Sequence, residues 1–119
     1  MNKMKTLPPS LRDRKRYISF QIISEEPIEY SDLESGIWNT MLDFLGEYGV
    51  SKTSMWLMKD NWNNDDQKGI ISCNHKSIKD IVATLGLVDR LGDNRITFKI
   101  LKISGTIKSL KKRQVQNYT

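Results

Sequence analysis

A single cysteine, Cys73, in 119 residues excludes an internal disulfide. It also excludes any zinc site built on several thiolates. A single histidine, His75, leaves no second imidazole with which to share a metal or a catalytic triad. No apolar run approaches the roughly 20 residues of a membrane-spanning helix, and Met1 to Leu11 has no apolar stretch of the kind that makes a secretory signal. No membrane partner is expected, and a reducing interior, the cytoplasm, suits the lone thiol. Glycine-rich phosphate loops ending in Lys-Ser/Thr are absent, as is the Gly-x-Ser-x-Gly elbow of hydrolases. Acids are nearly absent from the two ends of the chain, and this is the most informative of the gaps.

Residues 3–16 carry Lys3, Lys5, Arg12, Arg14, Lys15 and Arg16 against Asp13 alone. Residues 95–119 carry Arg95, Lys99, Lys102, Lys108, Lys111, Lys112 and Arg113 against no acid. The segment between holds 6 bases against 13 acids, so an acidic middle of net −7 is flanked by strongly basic ends. Separated charge of this kind does not help a fold. Two solvated tails kept basic for solubility would explain it. A surface that meets a polyanion, most often nucleic acid, explains it better when both ends are basic on one small domain.

The length predicts one domain with one core. Residues 1–11 read as a leader made extended by Pro8-Pro9, residues 12–113 as the domain and residues 114–119 as a tail. Ile18, Phe20 and Ile22 alternate with polar neighbours, predicting a strand over 16–24. Ser31 and Glu34 stand at capping-box spacing before Leu33, Ile37, Met41, Phe44 and Tyr48, predicting a helix that Gly49 stops. A second strand is expected over 52–59, then a polar loop over 60–67 and a return strand over 69–74. Ser77 is expected to cap a second helix with Ile78, Ile81, Val82, Leu85 and Val88 on its apolar stripe. Gly92-Asp93-Asn94 makes a turn into a fourth strand over 95–103, and 106–113 forms a short basic helix. The order is that of a split β-α-β sandwich, ferredoxin-like or RRM-like: a four-stranded antiparallel sheet with two helices on one face. In that order the first and last strands are neighbours, which would join the two basic ends.

No catalytic or metal-binding set emerges. None of the four predicted strands contains a carboxylate, whereas a two-metal nuclease needs carboxylates converging from strand ends. Cys73 and His75 share a strand face, but no acid is placed to orient them, and a buried structural cysteine fits better. An RNA-recognition motif stacks bases on aromatics of its third strand. Here that strand reads Lys68-Gly69-Ile70-Ile71-Ser72-Cys73-Asn74 and has none, with only Tyr17 on the first strand to offer a ring. Nucleic-acid binding is therefore expected through phosphates and shape. In Ser104-Gly105-Thr106-Ile107-Lys108-Ser109-Leu110-Lys111-Lys112-Arg113 a Ser-Gly turn feeds a helix start that suits a phosphate, with Thr106 as a further donor and Lys108, Lys111 and Lys112 on one side. An ordinary capped surface helix is the alternative. Trp38 and Trp56 fit core or interface positions, with core favoured for Trp56. Trp62 is expected to be exposed. With Met55 and Met58 it marks a protein contact, unless it folds back on its own hairpin.

The stretches Leu11-Arg12-Asp13-Arg14-Lys15-Arg16-Tyr17-Ile18-Ser19-Phe20 and Ser104-Gly105-Thr106-Ile107-Lys108-Ser109-Leu110-Lys111 resemble the opening and the C-terminal signature of one family. This is the small protein subunit of archaeal and eukaryotic ribonuclease P, called component 2 in archaea. Ile37-Trp38, Phe44-Leu45-Gly46-Glu47, Gly49, Gly69-Ile70 and Cys73 fall where its pattern has them, so the resemblance covers roughly residues 8–113. It implies a ferredoxin-like, non-catalytic subunit that binds and stabilises the catalytic domain of ribonuclease P RNA, which removes the 5′ leader of precursor tRNA. It implies component 3 as protein partner, precursor tRNA as an indirect one, and room for a homodimer within a heterotetramer. No cofactor is expected on the chain, and magnesium belongs to the RNA. The residues expected on RNA are Arg12, Arg14, Lys15, Arg16, Thr106, Lys108, Lys111, Lys112 and Arg113. Those expected on a protein partner are Trp38, Met55, Met58 and Trp62. The competing reading is a protein–protein adaptor of the same fold with incidental basic tails.

Overall fold

The computed structural model describes residues 14–107. The expected leader, most of the C-terminal basic helix and the tail lie outside the described residues, and with them Arg12, Lys108, Lys111, Lys112 and Arg113. Seven elements follow one another: β1 (Lys15–Ser24), α1 (Tyr30–Thr53), β2 (Trp56–Leu57), β3 (Lys68–Asn74), α2 (Ile78–Leu87), β4 (Arg90–Leu91) and β5 (Asn94–Ser104). Single 3-10 turns occupy Lys59–Asn61 and His75–Ser77. The strands form an antiparallel sheet in the order β2-β3-β1-β5-β4.

The sheet has five strands, not the four expected. The extra one, β4, is two residues long, too short to leave any periodic signal. It exists because Gly92, at φ 60°, closes a hairpin that pairs Leu91 with Asn94. Leu91 then packs on α1 at Gly36, where a Cβ would collide with the Leu91 Cδ2.

The central strand β1 buries Ile18, Phe20 and Ile22 on one face, and Ser19 between them is buried on the other. Ile71 and Cys73 of β3, Leu57 of β2 and Ile96 of β5 join them, and Phe98 and Ile100 pack against the cluster. Leu33, Ile37 and Met41 of α1 and Ile81 and Leu85 of α2 cover this face, so both helices lie on one side. Each such buried aliphatic side chain contributes about 1.5–3 kcal/mol.

Helix α1 departs from expectation at both ends. It begins at Tyr30, with Glu29 as an N-cap that makes no side-chain bond, so the Ser31–Glu34 capping box does not form. Tyr30 Oη takes Glu34 instead, at 3.2 Å. Gly49 does not stop the helix. The backbone breaks at Gly46 (φ 73°, ψ 169°), resumes, and ends at Ser54 in the left-handed region. The inward stripe runs Leu33, Ile37, Met41 and Leu45, spaced by four. Phe44 and Tyr48, expected on it, point outward at 59% and 74% exposure. The extra turns also consume Lys52 and Thr53, leaving β2 only two residues of the strand expected over 52–59.

Within β2 the alternation decides which tryptophan is buried. Met55 and Leu57 face the core, so Trp56 between them faces away and is 67% exposed, against the core position expected for it. Trp62 does the reverse. It folds back onto Phe20 of β1, ring centroids 6.3 Å apart, and is half-buried. The chain makes room for it at Gly69, where a Cβ would lie 2.8 Å from Phe20 Cζ and 3.0 Å from Trp62 Cε3.

Candidate nucleic-acid interface

Antiparallel pairing of β1 with β5 sets the start of one strand beside the end of the other, with Tyr17 opposite Ser104 and Ile18 opposite Ile103. The N-terminal basic run and the Ser-Gly-Thr turn therefore share one end of the molecule. The Arg16 guanidinium lies against that turn: a Cβ at Gly105 would sit 3.6 Å from its Nη1. Arg16 Nη1 also donates to the Lys15 carbonyl at 2.9 Å, which folds the side chain along the strand end. Arg14 and Lys15 are exposed.

A residue that sequence reasoning had set aside holds this end in place. The His75 N–H donates to the Arg14 carbonyl at 2.8 Å, and the Arg14 N–H donates to His75 Nδ1 at 3.1 Å. The pair extends the β1–β3 ladder past Lys15 and Asn74 and fixes the direction in which the chain enters β1. Cys73 does not join it. The thiol is buried in the core, and burial pushes its pKa up, away from any nucleophilic role.

At the other strand the Thr106 N–H donates to the Ser104 hydroxyl at 3.2 Å, a local turn just past the end of β5. Thr106 itself is exposed.

The opposite end of the sheet is acidic. β1 runs ten residues, about 33 Å at the usual strand rise, from Lys15 to a turn holding Glu25 and Glu26. Glu25, Glu26, Asp93 and Arg95 line one depression there, Asp89 lines its neighbour, and Arg90 is paired opposite Arg95. Arg14, Lys15 and Arg16 thus stand at one end of β1 and Glu25 and Glu26 past the other, where Arg90 and Arg95 lie among the acids.

The residues expected on a protein partner do not form one exposed surface. Met55 belongs to the core, while Trp38, Met58 and Trp62 are half-buried. Among the described residues the exposed large apolar side chains are others: Leu42, Phe44, Tyr48 and Leu87 on the helices, and Ile23, Trp56, Leu101 and Ile103 on the sheet.

Residues 16–115 match the model of the Rpp14/Pop5 family. Ribonuclease P protein component 2 of Pyrococcus furiosus is 41% identical over 114 residues, spanning 96% of this chain and 93% of that protein. The protein of the same name from Methanosarcina mazei is 34% identical over 96% of this chain and 95% of its own length. Among solved structures, a chain in the cryo-EM structure of yeast ribonuclease MRP superposes with a TM-score of 0.60 at 15% identity, covering 89% of this chain and 95% of that one. At that identity the superposition speaks to the fold alone.

Proposed function

This chain belongs to the Rpp14/Pop5 family, and we propose on that premise that it binds and stabilises the catalytic domain of ribonuclease P RNA. It is a non-catalytic protein subunit of a ribonuclease P/MRP ribonucleoprotein, working with RNA and with other protein subunits. The observation that carries the RNA-binding reading is the meeting of β1 and β5. It sets Arg14, Lys15 and Arg16 beside the Gly105-Thr106 turn, from which the sequence continues into Lys108, Lys111, Lys112 and Arg113. Cations so grouped release counterions from a polyphosphate and relieve its self-repulsion. An RNA relieved in this way folds, and retains its own magnesium ions, at lower salt. Arg12 precedes the same cluster in sequence and is assigned to the same contact.

The finer fold reading belongs to the same proposal. With the two-residue β4 set aside, the sheet order β2-β3-β1-β5 is that of a split β-α-β sandwich. We read β4 as an addition at its edge. Component 3 is proposed as protein partner, and the acidic end, lying away from the basic one, leaves the opposite side of the molecule for protein contacts.

The test is cleavage of precursor tRNA by the matching ribonuclease P RNA at low magnesium, with component 3 alone and then with this chain added. Stimulation that needs both proteins is the expected result. No stimulation by a folded chain bound to component 3 would favour an adaptor role and leave the basic end to another polyanion.

A further inference from the structure

The sheet ends on one side in a strand that is mostly uncovered. β5 runs 11 residues, and its outer neighbour β4 pairs with Asn94 and Arg95 alone. One further backbone bond, from the Ile96 N–H to the Asp89 carbonyl at 3.0 Å, extends that pairing. Backbone groups alternate in direction along an antiparallel strand. The N–H and C=O groups of Phe98 and Ile100 therefore point outward, as those of Ile96 do. β1 agrees with this: Ile22, opposite Phe98, turns its own N–H away from β5 to the Gln67 carbonyl at 2.8 Å. Among the described residues nothing pairs with the outward groups of Phe98 and Ile100. The open stretch, Thr97 to Leu101, is about 17 Å long.

This edge is accessible and carries charge of one sign. Thr97, Lys99 and Leu101 are exposed, and Phe98 and Ile100 on the helix side are half-buried. β4 and β5 hold Arg90, Arg95, Lys99 and Lys102 and no carboxylate. An unpaired edge is a template for another strand. A second copy of this chain laid antiparallel on it, centred within Phe98–Ile100, would set Lys99 opposite or diagonal to its own counterpart, an unfavourable pair. Leu101 is the extra residue where the register with β1 shifts, and such a bulge bends the strand and further disfavours self-pairing. Neither device acts against a strand that brings carboxylates.

We propose that the Thr97–Leu101 edge takes an extended segment of a partner protein that alternates acidic and apolar residues. Its main chain pairs with the outward groups of Phe98 and Ile100. Its carboxylates face Lys99, and its apolar side chains continue the helix-covered face past Phe98 and Ile100. The inference rests on the reading that this chain works with other protein subunits, and it adds the surface and the chemistry of one such contact.

The experiment uses the full wild-type chain and a labelled nonapeptide that alternates glutamate and valine, with binding followed by anisotropy. A lysine–valine nonapeptide is the charge control. Two further glutamate peptides carry N-methyl groups on alternate residues, one on the odd positions and one on the even. Amide hydrogen exchange reads the edge itself. The glutamate peptide is expected to bind at least tenfold more tightly than the lysine peptide. Exchange at Phe98 and Ile100 should slow tenfold or more when it binds. Thr97 and Lys99 should not change, because their N–H groups already face β1. One methylated isomer should bind like the parent and the other lose tenfold or more, since only one edge of the peptide is used. Lys99→Glu should reverse the preference between glutamate and lysine peptides. Circular dichroism confirms that this variant is folded, and the methylated pair tests the wild-type chain in any case. No binding of the glutamate peptide, unchanged exchange at Phe98 and Ile100, or equal binding of the two isomers would overturn the proposal. Slowing of these two amides as the chain alone is concentrated would assign the edge to a second copy, and slowing with octauridylate alone would assign it to RNA. Either result also overturns it. Failure of the RNA-subunit role is read separately, as absent stimulation of precursor-tRNA cleavage by the wild-type chain.

Discussion

Gly69 shows how one residue type can be fixed by its surroundings with no special backbone angle. The Trp62 ring lies on Phe20 across β3, and the only space for both rings is the missing Cβ of Gly69. Phe20 is fully buried, so its ring cannot withdraw without disturbing the core. Gly69→Ala is expected to destabilise the fold by about 1–3 kcal/mol, the usual cost of overpacking, measurable as a lower denaturation midpoint. Tyr30 is a second such site. Burial, and then the neighbouring Glu34 carboxylate, push its phenol up to about 12 from an ordinary value of 10.0. A folded-state pKa raised above the unfolded value means that the native state holds this proton more tightly. The stability it confers is fully present below pH 10 and is lost as pH climbs toward about 12. The denaturation midpoint of the wild type should therefore fall more steeply over that window than the midpoint of Tyr30→Phe, which has no proton to lose. Equal slopes would mean that the phenol is indifferent to folding.

At the scale of elements, glycines set the outline of the helices, and two of them make opposite predictions. Gly46 sits at φ 73° and ψ 169°, where a side chain is strained even though open space surrounds it. Gly46→Ala should cost on the order of 1–3 kcal/mol. Gly86 lies inside α2, and nothing stands within 4 Å of the point where a methyl group would be added. It should accept alanine with a gain of up to about 1 kcal/mol. Thermal melts of the two single variants should move in opposite directions. The same glycines mark where reading the sequence stopped being sufficient. Gly46 and Gly49 are alike on paper, yet only Gly46 takes the positive φ. β1 was legible because Ile18, Phe20 and Ile22 alternate cleanly. The run Met55-Trp56-Leu57-Met58 is apolar throughout, so it carries no period to say that Trp56 turns outward. Pairing with Ser72 at the sheet edge settles that. The pairing of β1 with β5 was legible from element order alone, since a split β-α-β order makes first and last strands neighbours. The His75–Arg14 clamp was not, because a backbone-to-ring bond between residues 61 apart leaves no pattern in sequence.

For the molecule as a whole, what matters is the direction of its charge. Arg14, Lys15 and Arg16 stand at one end of β1, and Glu25 and Glu26 just past the other. A polyanion approaching this field is drawn to the basic end and turned so that the acidic end points away. Orientation then comes from the fold, before any specific contact is made. Affinity for RNA should fall steeply with salt, with a log–log slope that counts the phosphates neutralised. Replacing the exposed Arg14 and Lys15 together by alanine removes two such charges without touching the core. It should flatten the slope by roughly 1.5–2 and weaken binding to all RNA sequences alike. Glu25→Gln with Glu26→Gln raises the net charge by the same amount that the first pair lowers it, but at the far end. If the end of the molecule matters, and not merely its total charge, this second pair should leave the slope where it is. Equal and opposite shifts from the two pairs would mean that RNA senses only net charge, and that the alignment of the basic residues at the β1–β5 end has no role in binding.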